Sequence, residues 1–261
     1  MPIGLIAGKG SLPKVFKESA QKKGERVVTI GIKGITDMEA DEIIPVGKVG
    51  KLISFFKKHG VDRIVMLGKF EHRLIYTSLL FLDFKAISIL RRSRDKRASS
   101  LIKAFIQALE EEGFVFIDPR DYLQDILAPE GVLGRHEPSD EAMSDGFFGF
   151  PIAKEIAEMD IGQTIVVKDG AVVAVEAMEG TQETILRGGQ IAGKGTRIIK
   201  VARKSQDFRI DVPTVGVQTL YAMKQVRADT LFLEAGKVYV LEKEEFLRKA
   251  DRLGISVVGI C

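Results

Sequence analysis

The sequence has a single cysteine, and it is the last residue, Cys261. No disulfide can form within the chain, and a structural zinc site built on thiolates is excluded. Histidine is nearly as scarce. His59, His72 and His136 are scattered and fit no His-x-x-x-His spacing, so zinc catalysis has no ligand set. No Gly-x-Ser-x-Gly elbow and no Walker lysine motif occur, which leaves acyl transfer and P-loop hydrolysis without support. Charge of one sign is also lacking. With 39 basic and 36 acidic residues the net charge is +3, too little to indicate a nucleic-acid partner. No apolar run reaches the length of about 18 residues that a spanning helix needs. The longest candidate, Leu74 to Leu90, is broken by Asp83 and Lys85. Met1 to Gly8 lacks the basic start and long apolar run of a signal peptide. A soluble cytoplasmic protein is expected, with at most peripheral contact at a membrane surface.

What is present is a chain of 261 residues, 45% of them hydrophobic, enough for two domains with proper cores. The first half repeats a strand, helix and glycine rhythm. Apolar strands are expected at 3–7, 26–30, 61–67 and 114–117, and helices at 12–23 and 49–59 and around Leu101, Phe105 and Leu109. Gly24, Gly60 and Gly113 stand where these helices end. Continuous apolar strands alternating with helices predict a parallel sheet covered on both faces, a Rossmann-like domain over 1–128. Residues 129–160, rich in proline and glycine, read as a connecting segment with little regular structure and at most one short helix. A mixed α+β domain is expected over 161–261. Its signals are a hairpin at 163–175 turning on Asp169-Gly170, a strand from Arg197 and a helix from Thr214. A second hairpin is expected across Ala235-Gly236-Lys237, then a closing helix and strand. The fold class is thus α/β in the first domain and mixed α+β in the second.

Three segments concentrate polar chemistry. Gly8-Lys9-Gly10-Ser11 follows a strand and opens a helix, where an α/β fold binds phosphate. The alternative is a tight turn without a ligand. Pro13 replaces the third glycine of a dinucleotide fingerprint, and no acid follows directly on Gly31-Ile32-Lys33. A nicotinamide or flavin dinucleotide is therefore not expected. Gly68 and Lys69, at another strand end, can face the same ligand or form a plain loop. Arg91, Arg92, Arg94, Lys96 and Arg97 form a basic run around Asp95 that reads as a solvated helix start or an anion contact.

The second segment, Glu176 to Thr181, offers two carboxylates suited to magnesium or manganese, with Gly180 and Thr181 placed for a turn, a helix cap or a phosphate. The third runs from Gln206 to Gly216 and is the densest. If it is extended, Arg209 and Asp211 share one face with Asp207 beside them. Arg209 then offers a fork to phosphate and Asp211 a metal-binding or water-orienting carboxylate at a strand end stiffened by Pro213. The alternative is a salt-bridge ladder of Arg209 with the two aspartates.

The motifs Gly4-Leu5-Ile6-Ala7-Gly8-x-Gly10-x-Leu12-Pro13, Val173-Ala174-Val175-Glu176-Ala177-x-Glu179-Gly180-Thr181 and Gln206-x-x-Arg209-x-Asp211-x-Pro213-Thr214-x-Gly216 resemble those of the UDP-2,3-diacylglucosamine pyrophosphatases, in the two-domain class distinct from the calcineurin-like one. The resemblance covers essentially the whole chain. It implies a magnesium-dependent hydrolysis of UDP-2,3-diacylglucosamine to 2,3-diacylglucosamine 1-phosphate (lipid X) and UMP, in lipid A biosynthesis, by a homodimer. It implies that Asp211 is the essential aspartate. Arg209 joins it as the second catalytic residue. Gly8, Lys9, Gly10, Ser11, Gly68, Lys69, Gly180, Thr181, Gln206 and Thr214 bind substrate. Asp211, Glu176 and Glu179 hold Mg2+, for which Mn2+ can substitute. Gln182 departs from the acid expected after the Gly-Thr pair. Two other activities fit the same residues: nucleotide-sugar binding without turnover, and transfer from a nucleotide-sugar to an acceptor.

Overall fold

The computed structural model describes residues 1–70, 82–92, 98–210 and 212–261. Asp211, His72, Arg94, Asp95, Lys96, Arg97 and the first part of the stretch from Leu74 to Leu90, residues 74–81, lie outside the described residues. The chain divides into two compact units. The first comprises Met1–Leu123 and a short return from the second half, of which Phe208, Arg209 and Ile210 are described; the second takes the rest.

In the first unit the described elements are β1 (Ile3–Ala7), α1 (Leu12–Lys22), β2 (Val27–Ile32), β3 (Glu42–Ile44), α2 (Val49–Lys58), β4 (Arg63–Leu67), α3 (Phe84–Arg92), α4 (Ala98–Glu110), β5 (Val115–Phe116) and α5 (Arg120–Leu123). The five strands form one sheet in the order β3-β2-β1-β4-β5, every pair parallel. β1 is central and wholly buried, as a strand covered on both faces must be. The core joins Ile6, Ile30, Ile64 and Met66 of the sheet to Leu52, Ile53 and Phe56 of α2 and Ile106 and Leu109 of α4. Ile210 of the returning segment packs against that core. Phe208 is buried with the Arg120 guanidinium 3.9 Å above its ring. The three-residue β3 was not foreseen, because it is too short to show a period. α3 was not foreseen either; the described part of the basic run closes it, with Arg92 paired to Glu111 at 2.5 Å.

In the second unit the described elements are β6 (Gly131–Val132), α6 (Asp140–Glu158), β7 (Thr164–Lys168), β8 (Ala171–Val175), α7 (Thr181–Ala192), β9 (Arg197–Lys200), β10 (Thr214–Val215), α8 (Val217–Val226), β11 (Thr230–Glu234), β12 (Tyr239–Val240), α9 (Lys243–Leu253) and β13 (Ser256–Ile260). A six-stranded mixed sheet runs β6-β13-β11-β9-β7-β8, parallel from β13 to β9 and antiparallel elsewhere. The β7–β8 hairpin turns on Asp169 and Gly170, at φ 49° and 72°, the left-handed pair of a two-residue hairpin loop.

Four expectations are corrected here. The expected connector 129–160 belongs to the second unit and holds the 19-residue helix α6. Gly146 and Gly149 read as helix breakers, but they are points of close packing. A Cβ on Gly146 would meet the Phe232 ring, and one on Gly149 would meet Ile199 and Val167. The second hairpin does not form. β11 pairs in parallel with β9 and β13, while β12 pairs in parallel with β10. Backbone bonds from Ala235 to Ile260 and from Gly236 to Ala128 carry the chain away from β11. Thr214 lies in β10 rather than in a helix, because Tyr239 N and Leu241 N take the carbonyls of Pro213 and Val215; α8 starts at Val217 with Gly216 as N-cap. The stretch 208–210 is a turn rather than a strand, so the shared face drawn for Arg209 and Asp211 has no extended backbone behind it.

Candidate functional site

The polar centre of the second unit grows from two adjacent strands. β7 and β9 run antiparallel with Thr164 opposite Lys200. Both residues are buried, Lys200 at 6% exposure. A buried ammonium needs oxygen partners, and Lys200 Nζ donates to Thr181 Oγ1 at 2.7 Å and to Thr164 Oγ1 at 3.2 Å. The Thr181 hydroxyl in turn donates to Glu176 Oε1 at 2.8 Å. The other Glu176 oxygen accepts the Gln163 backbone N–H at 3.3 Å. The Gln163 side chain then donates to Gln206 Oε1 at 2.9 Å, an oxygen that also accepts from Arg203 at 3.4 Å. Arg203 pairs with Asp160. Two of the three segments singled out in the sequence are thus joined, Glu176–Thr181 to Gln206, through Gln163.

Beneath this chain of contacts lies a buried ion pair. Lys154 Nζ reaches both Glu234 oxygens at 2.8 Å and the Ala202 carbonyl at 2.6 Å, and Glu234 accepts the Ala202 N–H at 2.8 Å. Burial pushes the Glu234 carboxyl up. The hydrogen bonds from Lys154, Lys237 and Ala202 outweigh it and hold the group below the usual carboxylate range. The pair fixes the chain two residues after Lys200.

Glu179 is held differently from Glu176. It pairs with Arg187 at 2.5 Å and accepts from Ala177 N at 3.2 Å and Thr184 Oγ1 at 3.3 Å. Its own backbone N–H and the Arg187 guanidinium keep its carboxyl below the usual range. Gly180, at φ 84°, is the N-cap of α7, so Thr181 is the first helical residue and not the cap. Gly162 packs so closely on the Glu176 backbone that a Cβ there would collide. That brings the loop carrying exposed Met159 and Ile161 beside the loop carrying exposed Met178.

In the first unit, the turn after β1 meets the turn after β4. Lys9 and Lys69 exchange backbone hydrogen bonds at 3.0 and 2.9 Å, and Gly8 N donates to the Leu67 carbonyl. The side chains of Lys9 and Lys69 are exposed. Ser11 makes no side-chain cap on α1. The Gly10 N–H is taken by the Asp37 carboxylate at 3.0 and 3.2 Å. An acid does therefore reach the glycine turn, on a loop that the sequence reading stopped short of. Thr36 anchors that loop, accepting from Ile32 N at 2.7 Å and donating to the Ala7 carbonyl at 2.5 Å. Arg209 pairs with Glu110 at 3.5 Å.

Sequence reasoning missed Lys200, Thr164, Gln163 and Arg203. One signal was available: Lys200 interrupts the apolar run Ile198-Ile199-Lys200-Val201-Ala202. A lysine in the middle of a buried strand end needs a reason.

A Rossmann-like parallel sheet with a glycine turn, followed by a mixed-sheet unit with a buried Lys–Thr–Glu network, defines a two-unit α/β protein. The LpxI N-terminal domain family matches residues 2–126 and the LpxI C-terminal domain family residues 129–258, and the chain belongs to the LpxI family. It is 29% identical to the UDP-2,3-diacylglucosamine pyrophosphatase LpxI of Caulobacter vibrioides, over 99% of this chain and 97% of that protein. Among solved structures, a biotin carboxylase complex from Campylobacter jejuni aligns at 13% identity and TM-score 0.21, over 73% of this chain and 42% of that one. A meso-dapdh variant from Clostridium tetani aligns at 11% and 0.26, over 94% of this chain and 72% of that one. Neither carries weight at those scores.

Proposed function

We propose that the protein hydrolyses the pyrophosphate bond of UDP-2,3-diacylglucosamine, giving 2,3-diacylglucosamine 1-phosphate and UMP, in lipid A biosynthesis. The observation that carries this is the match over nearly the full length of both chains to the Caulobacter pyrophosphatase. In the reaction a water oxygen bonds to one phosphorus. The bond from that phosphorus to the bridging oxygen breaks, the bridging oxygen stays on the other phosphate, and one proton leaves to solvent. The pyrophosphate's negative charge repels the incoming oxygen. Asp211 holds a metal or orients the water, and Arg209 steadies a phosphate oxygen. Gly8 to Ser11, Gly68 and Lys69 form the phosphate turn, and the charge of Lys9 and Lys69 holds the phosphate, because the N–H groups of Gly8, Lys9, Gly10 and Lys69 are already bonded within the unit. Gln206, Gly180, Thr181 and Thr214 complete the contacts.

A divalent cation, magnesium or manganese, offsets the pyrophosphate charge and lowers the pKa of a bound water. Among the described residues no group of three His, Cys, Asp or Glu is placed to hold a metal. Glu176, fixed by two donors, fits the role with Asp211. Glu179 is already neutralised by Arg187 and fits less well. Met159, Ile161 and Met178 supply apolar surface beside Glu176 for the acyl chains. The protein acts as a homodimer, as the family resemblance implies, and touches the inner membrane peripherally through its basic run. Among the described residues no helix is long and apolar enough to cross a membrane.

The test is purified protein with UDP-2,3-diacylglucosamine and magnesium, with and without chelator, and identification of products. Release of UMP and the acylated sugar phosphate, lost on chelation and in Asp211→Ala, is the expected result. Substrate binding without turnover, or turnover only with an added acceptor alcohol, overturns it.

A further inference from the structure

We infer that Lys200 is a positioning residue of this hydrolysis, fixing the Thr181 hydroxyl as a donor to Glu176; the inference rests on the function proposed above. An ammonium has three donors and no acceptor. Where Lys200 meets Thr181 at 2.7 Å, the hydroxyl oxygen must accept. Its single hydrogen is thereby turned elsewhere, and Glu176 Oε1 lies 2.8 Å away to receive it. Thr164, buried directly opposite Lys200 in the sheet, accepts a second Lys200 bond and stands 3.4 Å from Thr181.

The backbone leaves this arrangement little slack. Glu176 N donates to the Thr164 carbonyl at 2.8 Å, and Val201 N donates to the Gln163 carbonyl at 2.9 Å. The described residues bring one donor to each carboxylate oxygen, which fixes the direction in which the group points. Lys200 acts one hydroxyl away from Glu176, and Glu176 connects through Gln163 to Gln206. A lysine needed only to fill space would not require two threonine hydroxyls held in register against it. An arginine would not replace it, because a planar fork cannot place one compact charge between two hydroxyls.

The experiment compares Lys200→Met, Thr181→Val, Thr181→Ser and the Lys200→Met/Thr181→Val double variant in UMP release, each with a thermal melt. Lys200→Met is expected to lower kcat by about a hundredfold with KM little changed, the size of effect that a misaimed group produces; Thr181→Val, which also removes a proposed substrate contact, is expected to lower kcat as much and to raise KM. The double variant is expected to be no worse than the poorer single one, because the two residues act as one unit. Thr181→Ser, which keeps the hydroxyl, is expected to retain activity. Near wild-type kcat in Lys200→Met or Thr181→Val overturns the inference, as does a loss that multiplies in the double variant. Should Lys200→Met not fold, the Thr181→Val and Thr181→Ser pair decides alone: full activity in the valine variant overturns it. If the wild type itself releases no UMP, the proposed function falls and takes this inference with it. If the wild type is active and the variants match it, only the inference falls.

Discussion

Gly8 and Gly68 stand back to back. A Cβ on Gly8 would lie 2.8 Å from the Lys69 carbonyl oxygen and 2.9 Å from the Gly68 carbonyl carbon, and one on Gly68 would lie 2.9 Å from the Gly8 carbonyl carbon. These neighbours are backbone and cannot swing aside. Gly8→Ala is expected to destabilise the first unit by about 1–3 kcal/mol, the usual cost of overpacking. Gly68→Ala is expected to cost more, because its φ of 97° is also strained for alanine. Denaturant titration measures both. UMP binding by calorimetry should weaken in parallel, since the Lys9–Lys69 bridge that shapes the proposed phosphate turn must open.

The two glutamates of the second segment should separate in function. Glu176→Gln is expected to lower kcat on the order of a hundredfold and to raise the magnesium concentration needed for half activity, as loss of a ligand or its anchor does. Glu179→Gln removes a partner of Arg187 and should leave kcat within about threefold. Steady-state assays across a magnesium series check both. Equal losses in the two variants would restore Glu179 to the metal.

The Lys154–Glu234 pair predicts a pH dependence of stability. The Glu234 carboxyl is depressed in the folded protein, so its contribution is present above the ordinary glutamate range and is lost as pH falls through the folded value. Glu234→Gln should flatten the acid limb of the stability curve. At neutral pH it should cost about 3–5 kcal/mol, because it leaves Lys154 buried without its counter-charge. Thermal melts of both proteins from pH 3 to about pH 8 give the comparison. Parallel acid limbs would show that Glu234 does not contribute to acid sensitivity.

Chelation offers a fourth check, on the first glycine turn. With magnesium removed, UMP should still bind the Gly8–Ser11 turn with only a few-fold loss of affinity, since the exposed charges of Lys9 and Lys69 rather than metal hold the phosphate there. Calorimetry in chelator reads this directly, and abolished binding would move the nucleotide phosphate to the metal.

The first unit was legible because its strands are unbroken apolar runs. In addition, Gly24, Gly60 and Gly113 end helices at positive φ, a requirement visible in the residue type alone. Helix α6 was not legible for the converse reason. Gly146, Gly149 and Pro151 carry a strong local preference against helix, and only the shapes of Phe232 and Ile199 across the interface explain the two glycines. β10 and β12, two residues each, are too short for any period. At the site, the carboxylates and the glycine turns were visible as motifs. Their partners were not, because Lys200 meets Thr164 only through antiparallel register, and Asp37 reaches Gly10 only through a loop bound by Thr36. Residue chemistry is written locally, whereas register is settled by the whole sheet.

The return of Phe208 to Ile210 has a bearing on synthesis. The apolar seat that Ile210 fills is built from residues made long before it. At ordinary elongation rates the nascent chain waits on the order of ten seconds between completing Leu123 and supplying Ile210. During that interval the emerging polypeptide shows the exit tunnel and its attendant chaperones an unplugged hydrophobic seat. A fragment cut at residue 123 would keep that seat open permanently.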